Sequence, residues 1–153
     1  MNLIEFIDEK NIVLEIKAKN KPAVLEEMAE NAAKNDPSIE KDELLRVLLE
    51  RERLGSTGIG DGVAIPHGKL NSLKRPVLSF ARSFEELDFD SMDGEPTHLF
   101  FLLIAPENSS GVHLQVLARL ARILKNVSFR HKLMECSTRR ELYQAIVEAD
   151  EEI

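Results

Sequence analysis

The sequence predicts an α/β domain, a mostly buried β-sheet sandwiched between helices. Three observations carry that expectation. Short apolar runs, the longest being the seven residues Leu99 to Ala105, have strand length and no polar face. Segments with apolar residues at three- and four-residue spacing lie on either side of them in the chain. And 153 residues, 43% hydrophobic and 31% charged, have the size and composition of a single globular domain spanning 1–153.

The elements follow in order. Asn11 to Ala18, with β-branched apolar residues in a short run, predicts a first strand. Asn20 before Lys21-Pro22 opens a helix over about 22–35, with Val24, Leu25, Met28, Ala29, Ala32 and Ala33 on its buried face. A second helix runs from about Lys41 to Leu54, with Gly55 as its stop. Five of the seven glycines then fall between positions 55 and 68. Val63-Ala64-Ile65 predicts a short buried strand that Pro66 ends or edges. Further strands are expected at Pro76 to Ala81 and at Thr97 to Ala105, the latter central. Between them, Phe84 to Pro96 reads as acidic and irregular, with an Asp93-Gly94 turn. Three helices close the chain. The first follows the Ser109-Ser110-Gly111 loop, the second spans about Ser128 to Glu135, and the third opens on the capping box Thr138-Arg139-Arg140-Glu141.

Composition narrows the function. A net charge of -7, with basic residues only in doublets such as Lys74-Arg75 and Arg139-Arg140, argues against nucleic-acid binding. The acidic end, Glu148, Asp150, Glu151 and Glu152, reads as a solvated terminus. One cysteine, Cys136, permits neither an internal disulfide nor a thiolate metal cluster and suits a reducing compartment. No apolar run approaches the roughly 20 residues of a membrane span. The first residues lack a basic n-region and carry acids at Glu5, Asp8 and Glu9, so no signal peptide or membrane insertion is expected. The expected compartment is the cytoplasm.

The chemistry concentrates in residues 51–70. His67 follows a short apolar strand between Pro66 and Gly68, which places it at an element end, where a side chain meets the surface while its backbone stays fixed. Proline restrains the approach, and the glycine leaves room for another molecule. Upstream, the closely spaced glycines with Ser56 and Thr57 offer N–H and hydroxyl groups for an anion-binding nest. Phosphoryl transfer to imidazole uses such a set. A neutral ring nitrogen is nucleophilic near pH 7, the other nitrogen must be held by a hydrogen bond, and the protein otherwise supplies position and charge stabilisation. The scheme demands no metal and no cofactor. Neither a P-loop nor a dinucleotide-binding glycine pattern fits, because Gly58-Ile59-Gly60-Asp61-Gly62 lacks their spacing.

The stretch Arg51-Glu52-Arg53-Leu54-Gly55-Ser56-Thr57-Gly58-Ile59-Gly60, followed by Ala64-Ile65-Pro66-His67-Gly68-Lys69-Leu70, resembles the phosphohistidine signature of enzyme IIA domains of the mannitol/fructose class of the sugar phosphotransferase system. The wording is most similar to the nitrogen-regulatory branch, and the resemblance extends over nearly the whole chain, including His113-Leu114 at the opening of a helix. It implies a mixed sheet flanked by helices on both faces, with phosphate accepted on His67 through Nε2. It implies Arg51 as stabiliser of the phosphate charge and His113 as an assisting second histidine. It further implies a histidine-containing phosphocarrier protein (HPr or its nitrogen-branch equivalent) as donor, itself charged by an enzyme I that uses phosphoenolpyruvate.

Thr57 and Gly68 are expected beside the phosphate, with Ser56 equally near in sequence to Thr57. His98, in an apolar strand, and His131, in a polar helix, are read as structural or exposed, and Asp61 as no catalytic carboxylate. Three functions compete. One is a regulator whose phosphorylation alters binding to a transporter or kinase, which the glycine wording and the lack of an attached IIB domain favour. Another is a fructose- or mannitol-type IIA that passes phosphate to an enzyme IIB. The third is a scaffold that kept only the fold.

Overall fold

The computed structural model describes residues 1–153. A 3₁₀ turn at Leu3–Glu5 leads into β1 (Ile7–Val13), and two helices follow, α1 (Lys21–Asn35) and α2 (Lys41–Leu54). Four strands come next: β2 (Gly58–Gly60), β3 (Val63–Ala64), β4 (His67–Leu70) and β5 (Val77–Leu87). The chain finishes with β6 (Thr97–Pro106), α3 (Ser110–Leu124), α4 (Val127–Glu135) and α5 (Arg139–Glu151). The sheet order is β1-β5-β6-β3-β2, with β4 also paired to β6. It is mixed: β6 runs antiparallel to β5 but parallel to β3 and β4, and β1 is parallel to β5.

Central β6 is buried on both faces, which explains its uninterrupted apolar sequence. Its side chains alternate. Leu99, Phe101 and Leu103 join Val116, Leu120, Leu133, Leu142 and Ile146 beneath α3, α4 and α5. Phe100, Leu102 and Ile104 join Val24, Leu25, Met28, Leu44 and Leu48 beneath α1 and α2. The helices therefore flank the sheet on both faces, as expected.

The helix ends follow their sequence signals. Asn20 caps α1 by accepting from the Ala23 N–H at 3.0 Å, with Pro22 in the first turn. Thr138 caps α5 through the Glu141 N–H at 3.0 Å, and the Glu141 carboxylate reaches the Ser137 N–H instead of the capping residue's own.

Four expectations are corrected. The first strand lies at Ile7–Val13 rather than 11–18, because Ile7, Ile12 and Val13 hold the ladder to β5; beyond it Ile16 keeps one bond to the Arg82 carbonyl, and the Lys17 and Ala18 N–H groups go to the Glu27 carboxylate. Strand β5 runs on to Leu87 through residues read as irregular. Within it, Arg82 is fully buried because its guanidinium donates to the Leu133 and Cys136 carbonyls at the end of α4. The Asp93-Gly94 turn beyond it does form, with Gly94 at φ 73°.

The acidic terminus is not all solvated. Asp150 is 2% exposed, ion-paired to Arg119, and accepts from the Leu3 N–H at 2.7 Å. Finally, the strand that Pro66 was expected to end or edge only pauses there. Residues 63–70 follow β6 in parallel on both sides of the proline, whose carbonyl accepts from the Leu103 N–H at 3.0 Å, and pairing resumes at His67.

Candidate functional site

His67 opens β4, opposite Leu103. The pleat sends Gly68 and Leu70 towards α2, and His67 and Lys69 towards the first turn of α3. Gly68 is there for packing: a Cβ would meet Val47 Cγ1 of α2 at 2.6 Å. In the direction of the missing Cβ the space is filled by the protein's own helix, which brings the end of α2 against β4 and puts Arg51 beside the imidazole.

Both ring nitrogens of His67 are engaged. Nδ1 lies 2.9 Å from the Ile65 carbonyl, and Arg51 Nε donates to Nε2 at 3.2 Å. A carbonyl only accepts and a guanidinium only donates, so the two contacts assign the same tautomer, Nδ1–H with a lone pair on Nε2. Arg51 Nη1 also donates to the Gly55 carbonyl at 2.9 Å, which ties the guanidinium to the loop that leaves α2.

His113, buried in the first turns of α3, packs edge-on against His67 with ring centroids 5.2 Å apart. Its Nδ1 is buried without a hydrogen-bond partner. Lys69 Nζ donates to Ser110 Oγ at 2.9 Å. Arg51, His67, Gly68 and His113 thus line one open hollow of about 710 Å³, with exposed Leu54 and Leu114 on its walls.

Thr57 is not brought into the hollow. Its hydroxyl and its N–H both donate to the Glu52 carboxylate. The glycine-rich stretch, residues 55–62, does not line the hollow either. Gly60 and Gly62, at φ 101° and 78°, turn a small hairpin between β2 and β3. Two of its N–H groups are spent internally, Gly58 on Ser56 Oγ and Asp61 on the Asp93 carboxylate. Ser56 itself donates to the Phe89 carbonyl. His98 contacts the Ser83 carbonyl through Nδ1, away from the hollow, and His131 stands exposed on α4.

The site keeps its histidines neutral. Burial lowers the pKa of His67 below 6.5, partly offset by the bond to the Ile65 carbonyl; the Arg51 charge lowers it again and Glu52 raises it. His113 is pushed down to about 4, mainly by burial, then by charge on His67 and on Lys69. Both rings are therefore uncharged at pH 7.

The sign for stability follows. Between the unfolded value of 6.5 and about 4, the unfolded chain binds more protons at these positions than the folded one, so stability falls as pH drops through that window. A ¹⁵N-detected titration is expected to put the His67 midpoint below 6.5 and that of His113 near 4. Midpoints at or above 6.5 for both would contradict this environment.

Lys69, Ser110, Leu54 and Leu114 were not picked out as site residues. Lys69 becomes legible only once His67 is known to start a strand, since two residues on is the same side of the pleat.

Residues 5–149 match the protein family described as "Phosphoenolpyruvate-dependent sugar phosphotransferase system, EIIA 2". The chain belongs to that family and is a phosphotransfer component. Over 146 residues it is 39% identical to a nitrogen regulatory protein of Bradyrhizobium diazoefficiens, which covers 95% of each chain. Over 150 residues it is 34% identical to the fructose-specific EIIABC component of Bacillus subtilis, matching 98% of this chain but 24% of that longer protein. The crystal structure of the nitrogen regulatory protein IIA-Ntr from Neisseria meningitidis superposes with a TM-score of 0.87 at 37% identity, covering 93% of this chain and 97% of that one.

Proposed function

We propose that this chain is a cytoplasmic nitrogen-regulatory enzyme IIA that takes a phosphoryl group onto Nε2 of His67 from a histidine-containing phosphocarrier protein, and that the phosphorylated and free forms bind different targets. One observation carries the reading: the Ile65 carbonyl and the Arg51 guanidinium leave the imidazole a single lone pair, on Nε2, at the mouth of an open hollow.

The transfer needs few parts. The carrier's P–N bond breaks and returns its electron pair to the carrier's ring, while the Nε2 lone pair bonds to phosphorus. His67 keeps its Nδ1 proton, and the Ile65 carbonyl stabilises the positive ring that forms. Arg51 gives up its bond to Nε2 and turns to the non-bridging oxygens, still anchored on Gly55. For His113, leaving a buried lone pair unpaired costs less than leaving a buried N–H unpaired. Its proton therefore sits on Nε2, as a neutral donor towards the phosphoryl group. Gly68 serves by admitting α2, and Thr57 acts at a distance from the phosphate.

Incubation with phosphoenolpyruvate, enzyme I and the carrier is expected to give one acid-labile, base-stable phosphate per chain. A wild-type chain left unlabelled by a competent cognate donor would end this reading. Arg51→Ala is expected to slow labelling by about 10²-fold, the scale of losing one charge-stabilising donor, with the circular dichroism spectrum unchanged. Labelling at the wild-type rate would remove Arg51 from the site. The match of nearly the whole chain to a fructose-specific relative favours a second reading, in which the phosphate passes on to a IIB domain. Discharge of the labelled chain by a fructose-type IIB would support it.

A further inference from the structure

Glu52 follows Arg51 in sequence but points the other way, into the protein, where its side chain is 6% exposed. Its carboxylate accepts from the Thr57 N–H at 3.0 Å and from the Thr57 hydroxyl, and it faces Lys21 Nζ at 2.9 Å. Lys21, from the first turn of α1, is itself seated over the Phe89 ring, 4.7 Å from its centroid. A buried carboxylate so fully partnered fixes the groups around it, because breaking one contact leaves charge unpaired in low dielectric.

The path continues from Thr57. Its carbonyl accepts from the Ile65 N–H at 3.0 Å, and the Ile65 carbonyl in turn holds Nδ1 of His67 at 2.9 Å. Glu52 thus stands at the head of a hydrogen-bonded chain that ends on the imidazole, while Arg51, one residue earlier, holds the opposite nitrogen.

Resting on the reading of His67 as phosphoryl acceptor, we propose that Glu52 is a positioning residue for the transfer. Through Thr57 and Ile65 it fixes the tilt and tautomer of the ring without touching the phosphoryl group or the carrier. Glu52 also raises the proton affinity of His67, against Arg51 and burial. Its loss therefore moves the ring's titration as well as its orientation.

The test is Glu52→Gln, which keeps the shape and removes the charge. Labelling from the phosphorylated carrier is expected to fall ~30-fold in kcat with KM for the carrier within ~2-fold, since a small misplacement of a reacting group costs rate and the carrier never meets Glu52. In ¹⁵N spectra of the unphosphorylated chain, the His67 midpoint shifts further down and the Nδ1–H tautomer loses dominance. Thr57→Val breaks the same path and is expected to cost ~10-fold, with Thr57→Ser restoring the rate, and the double variant no worse than Glu52→Gln alone.

Wild-type kcat together with wild-type imidazole spectra in Glu52→Gln overturns the proposal. So does a slowed rate with an unchanged tautomer and no rescue by Thr57→Ser. If Glu52→Gln fails to fold, the Thr57 pair decides by the same spectra and rates. If the wild type takes no phosphate, the carrier reading fails by itself, and the spectra of the unphosphorylated variants still judge the role of Glu52.

Discussion

His67→Ala takes up no phosphate from a phosphorylated carrier that labels the wild type to one equivalent: this is the largest effect expected of any single change. The other histidines offer no substitute. His98 is tied to the Ser83 carbonyl and His131 lies exposed on α4, while His113 is buried against the His67 ring with its Nδ1 unpartnered. The fold should survive, because β4 is held to β6 through backbone pairing at Gly68, Lys69 and Leu70, and the lost side chain is only half-buried. The measurement is stoichiometric labelling beside a thermal melt. One full equivalent on a folded His67→Ala chain would move the acceptor elsewhere and overturn the mechanism.

The second large effect concerns stability. Asp150→Ala is expected to lower the free energy of unfolding by about 3 kcal/mol, the low end for breaking a buried ion pair, because Arg119 keeps some access to water. Two things are lost together: the charge partner of Arg119, and the acceptor for the Leu3 N–H, which ties the 3₁₀ turn to α5. Urea unfolding measures it as a lower midpoint at unchanged slope. A shift worth under about 1 kcal/mol would class Asp150 with the exposed pairs such as Lys132–Glu148.

Asp150 also marks what the sequence could not tell. In sequence it is one acid among several at a polar end, and only Arg119 and Leu3, both distant in the chain, give it a reason to be buried. Arg82 is the same case. The strand expected at Pro76 to Ala81 stops just before it, yet the Leu133 and Cys136 carbonyls at the end of α4 take its guanidinium as β5 continues. Polar residues whose partners are distant in sequence carry no local signal. Elements whose cause is local were legible. The both-sided apolar run gave β6, while the Asn20 cap and Pro22 began α1.

The site divides along the same line. His67 stood out by its setting between proline and glycine. Arg51 and His113 came from the resemblance to known IIA domains, since nothing in their spacing brings positions 51, 67 and 113 together. Gly68 lines the hollow as expected but also lets α2 approach, which no local signal shows, and the Thr57 hydroxyl is bound to Glu52.

The pause in the strand at Pro66 has a consequence for signalling. Backbone pairing on either side of it ties the segment that bears the imidazole to β6, so gaining a phosphate is expected to change the charge of the site more than the path of its backbone. A partner that distinguishes the two forms is then expected to sense chiefly the added electrostatic potential, about -1.5 to -2 elementary charges on the phosphoserine scale, beside the turned Arg51 side chain. Such discrimination fades with ionic strength, and raising salt from 0.1 M to 1 M, which shortens the screening length from about 10 Å to about 3 Å, should bring the two affinities together.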